Sequence, residues 1–156
     1  MKRFSKLLLT NNIVGISSGG GHLTELFGAI PNSIINEVNY ITYKNGHTRK
    51  TLHGKKHFFI IDPHISKLKF VINFFQAFFL FLYLRPKLII STGAGIAIPF
   101  MLIGHYLGSK IIFIESGARV ITASKTGQFM YKFSNLFIVQ YNSLVKIFPN
   151  SKIGSL

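Results

Sequence analysis

Ile13-Val14-Gly15-Ile16-Ser17-Ser18-Gly19-Gly20-Gly21-His22-Leu23-Thr24-Glu25 opens with a short apolar run, passes through three consecutive glycines and enters a helical pattern. A strand that turns through glycine into a helix is the first unit of a parallel α/β sheet. The unit repeats along the chain. Further apolar or β-branched runs fall at Val38–Tyr43, Phe58–Ile61, Lys87–Ser91, Lys110–Ile114 and Leu136–Val139. Helical stretches separate them at Leu23–Ile30, Ser66–Leu84, Ile96–Leu107, Thr126–Ser134 and Asn142–Phe148. Pro31, Pro86 and Pro149 close three of these helices, and Thr126 and Asn142 suit N-caps. The expected fold is a Rossmann-like parallel sheet with helices on both faces, as one domain over residues 1–156. Segment Lys44–His57 carries five Lys/Arg, three His and no acid, and reads as a solvated loop.

Composition narrows the partners. Eighteen Lys and Arg stand against only Glu25, Glu37, Asp62 and Glu115, a formal net charge of +14. Such a balance selects surfaces or ligands of negative charge. Nucleic acid is disfavoured, because most of the 16 Phe lie in apolar runs rather than among cations on a stacking surface. The absence of cysteine excludes disulfides and thiolate chemistry. No metal site is expected. Met1–Leu9 reads as a basic extension before the first strand, its apolar run being too short for a secretion signal.

Phe70–Leu84 is the most apolar stretch. As helix it extends about 22 Å, short of the roughly 30 Å hydrocarbon core. Ser66, Lys69, Asn73 and Gln76 draw one thin polar stripe along it. Three readings stand: a helix lying partly in a membrane interface or under a partner, through Phe74, Phe75, Phe78, Phe79 and Phe81; a Phe-rich core helix; and, against its length, a true span.

In an open parallel sheet, ligands bind outside the carboxyl ends of the strands. Three turns there carry the chemistry. Ser18-Gly19-Gly20-Gly21-His22 offers backbone N–H groups to a phosphate and a histidine suited to general-base, capping or phosphate-binding roles. Its spacing matches neither a P-loop nor the dinucleotide fingerprint. Thr92-Gly93-Ala94-Gly95 is a second phosphate-friendly turn, and Pro99 fits the helix start that follows. The third, Glu115-Ser116-Gly117-Ala118-Arg119, ends an apolar strand on a carboxylate that can hold a hydroxyl, act as a base or pair with Arg119. Arg119 in turn suits a phosphate oxygen.

Taken in order, Ser-Gly-Gly-Gly-His-Leu-Thr-Glu at 18–25, Ile-Ile-Ser-Thr-Gly-Ala-Gly-Ile-Ala-Ile-Pro at 89–99 and Ile-Glu-Ser-Gly-Ala-Arg-Val at 114–120 carry a resemblance. With Ser124-Lys125-Thr126-Gly127, Val139-Gln140-Tyr141 and Phe148-Pro149, they resemble the Alg-fourteen-type oligosaccharide biosynthesis family, including the bacterial PssD, CpsF and EpsE-type proteins. More distantly, the glycine loops are similar to those of MurG. The resemblance implies the acceptor-side half of a GT-B glycosyltransferase, bound peripherally or monotopically at the cytoplasmic face of a membrane. It implies an acceptor diphosphate near Ser18–Gly21 and Thr92–Gly95 and a base role for His22; a catalytic role for Glu115 and a phosphate contact for Arg119 are expected from the third turn itself. A polyprenyl-diphosphate-linked saccharide would be the acceptor. A UDP-sugar donor would sit on an Alg-thirteen-type partner (PssE- or CpsG-like), with no cofactor tightly bound to this chain. Some members of the family are enhancers rather than catalysts, so a non-catalytic recruiting subunit is the rival expectation. With no apolar anchor ahead of Ile13, attachment is expected to fall to Phe70–Leu84 and the basic surface.

Overall fold

The computed structural model describes residues 12–64 and 66–155; the basic extension read at Met1–Leu9 lies outside them. Among the described residues, seven strands form one wholly parallel sheet: β1 (Ile13–Ser17), β2 (Asn39–Thr42), β3 (His57–Phe59), β4 (Leu88–Gly93), β5 (Lys110–Ile114), β6 (Leu136–Val139) and β7 (Lys152–Ile153). Their order across the sheet is β3-β2-β1-β4-β5-β6-β7. The chain therefore runs outward from β1 to β3, then crosses back to lay β4 against the free side of β1. That reversal makes the carboxyl ends of β1 and β4 the natural ligand crevice of the sheet. The β1–β4 register slips after Ile16, so that Ser17 faces Gly93 where the two strands end.

Alternate residues point to opposite faces. On one face Val14, Ile16 and Ile89 pack under α3 (Lys67–Leu84) and α4 (Ile98–Tyr106), with α5 (Lys125–Met130) and α6 (Asn142–Val145) adding Met130 and Leu144. On the other, Ile13, Leu88 and Ile90 pack with Leu23 and Leu26 of α1 (Gly21–Ala29). Close approach fixes the α4 layer: a Cβ at Gly104 would overlap the Ile89 side chain.

Several local expectations need correction. Gly46–Thr51, within the expected loop, is a short helix, α2. Asn45 Oδ1 accepts from Thr48 N (2.6 Å) while Thr48 Oγ1 accepts from Asn45 N (2.9 Å), a reciprocal cap that satisfies two free helix-end donors. Ser124, not Thr126, caps α5, accepting from Gly127 N at 2.8 Å. Tyr141, not Asn142, occupies the cap position of α6. Pro99 does sit in the first turn of α4, after a 3₁₀ turn at Gly95–Ala97.

Helix α3 lies with its sides reversed relative to an ordinary surface helix. It has 18 residues, so it reaches about 27 Å, longer than the Phe70–Leu84 core suggests. By length and composition it is long enough to cross a membrane. It is nevertheless docked along one stripe, Asn73, Ala77 and Phe81. Asn73 Nδ2 donates to Ile61 O (2.7 Å) and Gln76 Oε1 accepts from Ile61 N (2.7 Å), so part of the polar stripe is spent inward on backbone beyond β3. The other faces expose Phe70, Phe74, Phe75 (55 %) and Phe79 (66 %). Phe78 is half-buried against the core. Phe81, expected at a membrane, is buried and meets the Phe100 ring edge-on. It belongs to the docked stripe at the four-residue helical repeat.

Candidate functional site

A cavity of about 630 Å³ opens at the carboxyl ends of β1, β4 and β5. His22, Thr92, Gly93, Ala94 and Arg119 all line it, so the structure gathers one residue or more from each of the three turns. Ser18, Gly19, Gly20, Gly21 and Gly95, expected at the same site, are outside the lining. A Cβ at Gly19 would press on Thr48 and Asn45, so α2 packs directly over that part of the first turn. Gly20 instead serves the backbone: at φ 74° it caps α1, and its carbonyl accepts from Leu23 N and Thr24 N.

The second turn is strained. Gly93 (φ 106°) and Ala94 (φ 74°, ψ 153°) both have positive φ, and Ala94 occupies a region that side-chain-bearing residues rarely enter. Thr92 Oγ1 donates to His22 O at 2.6 Å, which ties this turn to the histidine. His22 is half-buried, its side chain 34 % exposed, with Nδ1 against Glu25 Oε2 at 3.6 Å. Nε2 is the ring nitrogen left for the cavity.

The third turn delivers Arg119 but keeps Glu115 beneath the cavity. Glu115 is 1 % exposed; its Oε2 accepts from Ser124 Oγ (3.0 Å), and its backbone carbonyl accepts from Gln140 Nε2 (3.1 Å). Burial pushes its carboxyl above the ordinary carboxylate range, with hydrogen bonds from Ser124 and Ser116 and the Arg119 charge pulling the other way. The alternative of a Glu115–Arg119 ion pair is not formed. Among the described residues the single side-chain contact of that kind is His22–Glu25. Glu115 thus acts on the loop that caps α5 and is not among the residues lining the cavity.

Ser116, Ser124, Lys125, Thr126 and Gln128, with Ala118 and Ala123, complete the lining and were not singled out as ligand contacts from sequence. Ser124-Lys125-Thr126-Gly127 was the available signal, being a polar turn directly after the third loop. Gln128 gave none. Among the described residues no carboxylate lines the cavity, while Arg119 and Lys125 do. Hydroxyls and two cations at a crevice without a free acid suit phosphate oxygens.

This sheet, with its crevice at the strand-order reversal, has the Rossmann-like fold found in one half of GT-B proteins. It superposes on MurG of Acinetobacter baumannii with a TM-score of 0.66 at 12 % identity, covering 84 % of this chain and 42 % of that one. A UDP-GlcNAc 2-epimerase from Methanocaldococcus jannaschii gives 0.61 at 11 %, over 86 % of this chain and 42 % of that one. Residues 62–156 match the family "Oligosaccharide biosynthesis protein Alg14 like", and the chain belongs to that family. Among its relatives is the "UDP-N-acetylglucosamine transferase subunit ALG14" of Mus musculus, 29 % identical over 87 % of this chain and 78 % of the relative. The Homo sapiens protein of the same name is 35 % identical over 43 % of this chain. That match spans 34 % of the human relative.

Proposed function

We propose that this chain is the acceptor-side subunit of a two-chain glycosyltransferase, which moves a hexose or N-acetylhexosamine from a UDP-sugar onto a polyprenyl-diphosphate-linked saccharide. The observation that carries the reading is the cavity at the strand-order reversal, which joins His22 to Arg119 and Lys125 and, among the described residues, has no acid in its lining. The names of the relatives, each a UDP-N-acetylglucosamine transferase subunit, support the N-acetylhexosamine among the possible sugars. Arg119, Lys125 and the Thr92–Ala94 turn hold the acceptor diphosphate. His22 Nε2 takes the proton of the attacking acceptor hydroxyl as its oxygen bonds to the anomeric carbon. The bond from that carbon to the nucleotide breaks, and its electron pair leaves with UDP. Glu115 supports this site from below rather than touching the reactants.

The donor site belongs to a partner of the Alg-thirteen type. In a two-domain transferase the reactants meet in the cleft between halves, and most of the rate advantage is their positioning. One half alone leaves that cleft open. The uncovered apolar flank of α3, together with the net charge of +14, supports attachment to the anionic cytoplasmic face of a membrane. The decisive experiment is His22→Ala in the complex with the nucleotide-binding partner. Turnover should fall by about 10²–10⁴ with Tm unchanged. Near-normal turnover would remove His22 from the chemistry and leave recruitment, through α3, as the role of the chain.

A further inference from the structure

Glu25 has no part in the scheme above, yet it stands at the centre of the contacts beneath the cavity. It sits on α1, one turn after His22. Its Oε1 accepts from Ser116 Oγ (3.0 Å) and Gly117 N (2.8 Å), which bridges α1 to the loop that delivers Arg119. Its Oε2 faces His22 Nδ1 at 3.6 Å. Both of these atoms are buried, and neither has a hydrogen-bond partner among the described residues. Each is left with the other. The separation is a few tenths of an ångström beyond a hydrogen bond, and such contacts commonly tighten when substrate binds.

We propose that Glu25 is the positioning residue for His22, and that it selects the tautomer able to act as a base. An ionised carboxylate only accepts, so the nitrogen that meets it must donate. A neutral imidazole has one N–H. With that proton held at Nδ1 by Glu25, the lone pair is on Nε2, the nitrogen left for the cavity. Thr92 Oγ1 on the His22 carbonyl, at 2.6 Å, holds the backbone against which the ring is set. The other carboxylate oxygen keeps the Ser116–Gly117 loop in register with the same ring. One side chain thereby places base and phosphate ligand relative to each other. This inference rests on the base role proposed for His22.

Glu25→Gln separates the two jobs. The amide keeps a carbonyl oxygen for Ser116 and Gly117 but turns an NH₂ donor toward Nδ1. The ring should then accept at Nδ1 and carry its proton on Nε2, where it cannot act as a base. The measurement is the pair of His22 ring ¹⁵N shifts in the full chain, at a pH where the imidazole is neutral, assigned with His22→Gln. The kcat and KM of the partner complex are read alongside. The parent should show Nδ1–H. Glu25→Gln should show Nε2–H, with kcat lower by on the order of 10²–10⁴ and KM and Tm little changed. A parent ring protonated at Nε2 overturns the proposal without needing any variant to fold. So does a tautomer that Glu25→Gln leaves unchanged, even where His22→Ala abolishes turnover. If the tautomer switches while both Glu25→Gln and His22→Ala stay active, Glu25 still sets the ring and the base role is what fails.

Discussion

Replacing Gly127 with alanine tests the packing beneath the cavity most directly. A Cβ at this position would overlap Glu115 Oε2 and lie 3.0 Å from Glu115 Cδ and 2.9 Å from Ser124 Oγ. The carboxylate has nowhere to retreat. It is 1 % exposed, and its Oε2 is held by Ser124 Oγ at 3.0 Å. Making room means breaking that hydrogen bond, which for a charged group is worth about 1.5–3 kcal/mol. Pushing side chains off their rest positions adds about 1–3 kcal/mol. The expected loss is therefore roughly 3–5 kcal/mol. At about 2–4 °C per kcal/mol for a domain of this size, Tm should drop by on the order of 10 °C. Ser124, Lys125, Thr126 and Gln128 should be displaced together, since Gly127 lies among them.

Thermal unfolding by circular dichroism measures the loss, and a double-mutant cycle assigns it. Glu115→Ala vacates the volume that the new methyl needs. The pair Glu115→Ala/Gly127→Ala should therefore be more stable than the sum of the single changes by about 2 kcal/mol or more. Gly46→Ala is the control, because a Cβ there meets nothing within 4 Å and the residue opens α2. It should be neutral or stabilising by up to about 1 kcal/mol. Gly127→Ala within about 0.5 kcal/mol of the parent, or additive behaviour of the pair, would refute the contact.

Three further outcomes follow from the same contacts. Burial raises the folded-state Glu115 carboxyl above its unfolded value, so its stabilising effect is present at low pH and is lost as pH rises through the folded value. Glu115→Gln should therefore gain Tm relative to the parent from weakly acidic to neutral pH and lose that advantage in acid; a pH-independent difference would contradict the sign. Ala94→Gly should relieve the strain at φ 74° and raise stability by about 1 kcal/mol, part of the gain being cancelled by the freer unfolded chain, as urea titration would show. Phe75→Ser/Phe79→Ser should leave Tm unchanged but reduce co-sedimentation with anionic vesicles, whereas Asn73→Leu, which orphans Ile61 O, should cost about 1–3 kcal/mol and leave vesicle binding of the folded protein intact.

Strands β1, β5 and β6 fall on the residues their sequence marks, because each is an apolar run bounded by turn residues and buried by neighbours on the sheet. What escaped has physical causes. Helix α2 carries no apolar stripe and is held by the Asn45–Thr48 cap, a signal easily lost in a run of cations. Strand β7 is two exposed residues that exist by pairing with β6. The polar stripe on α3 was legible, but not its direction. Solvation would turn it outward, and the backbone of Ile61 instead takes Asn73 into the core and holds Gln76 at the edge of the docked face. Of the site, the motif residues at the ends of β4 and β5 were readable as turns. Gln128 was not, since its place depends on how closely α5 approaches Glu115 through Gly127.

The four acids explain why the cavity stays positive. Glu37 is exposed, and Asp62 accepts from His64 N in the turn after β3. The remaining two, Glu25 and Glu115, are the carboxylates nearest the cavity, and both are turned beneath it. Glu25 accepts from Ser116 and Gly117; Glu115 accepts from Ser124. Each carboxylate braces a loop from below, and the polar side chains that line the opening are hydroxyls, His22, Gln128, Arg119 and Lys125. A carboxylate in the lining would repel a diphosphate and compete for Arg119. Under the floor, the same groups fix where Arg119 and Lys125 stand, Ser116 Oγ and Gly117 N donating to Glu25 Oε1 and Ser124 Oγ to Glu115 Oε2. The basic composition and the few acids are thus two sides of one arrangement. Charge reversal at the floor should accordingly damage loop geometry first, and anion affinity only through it.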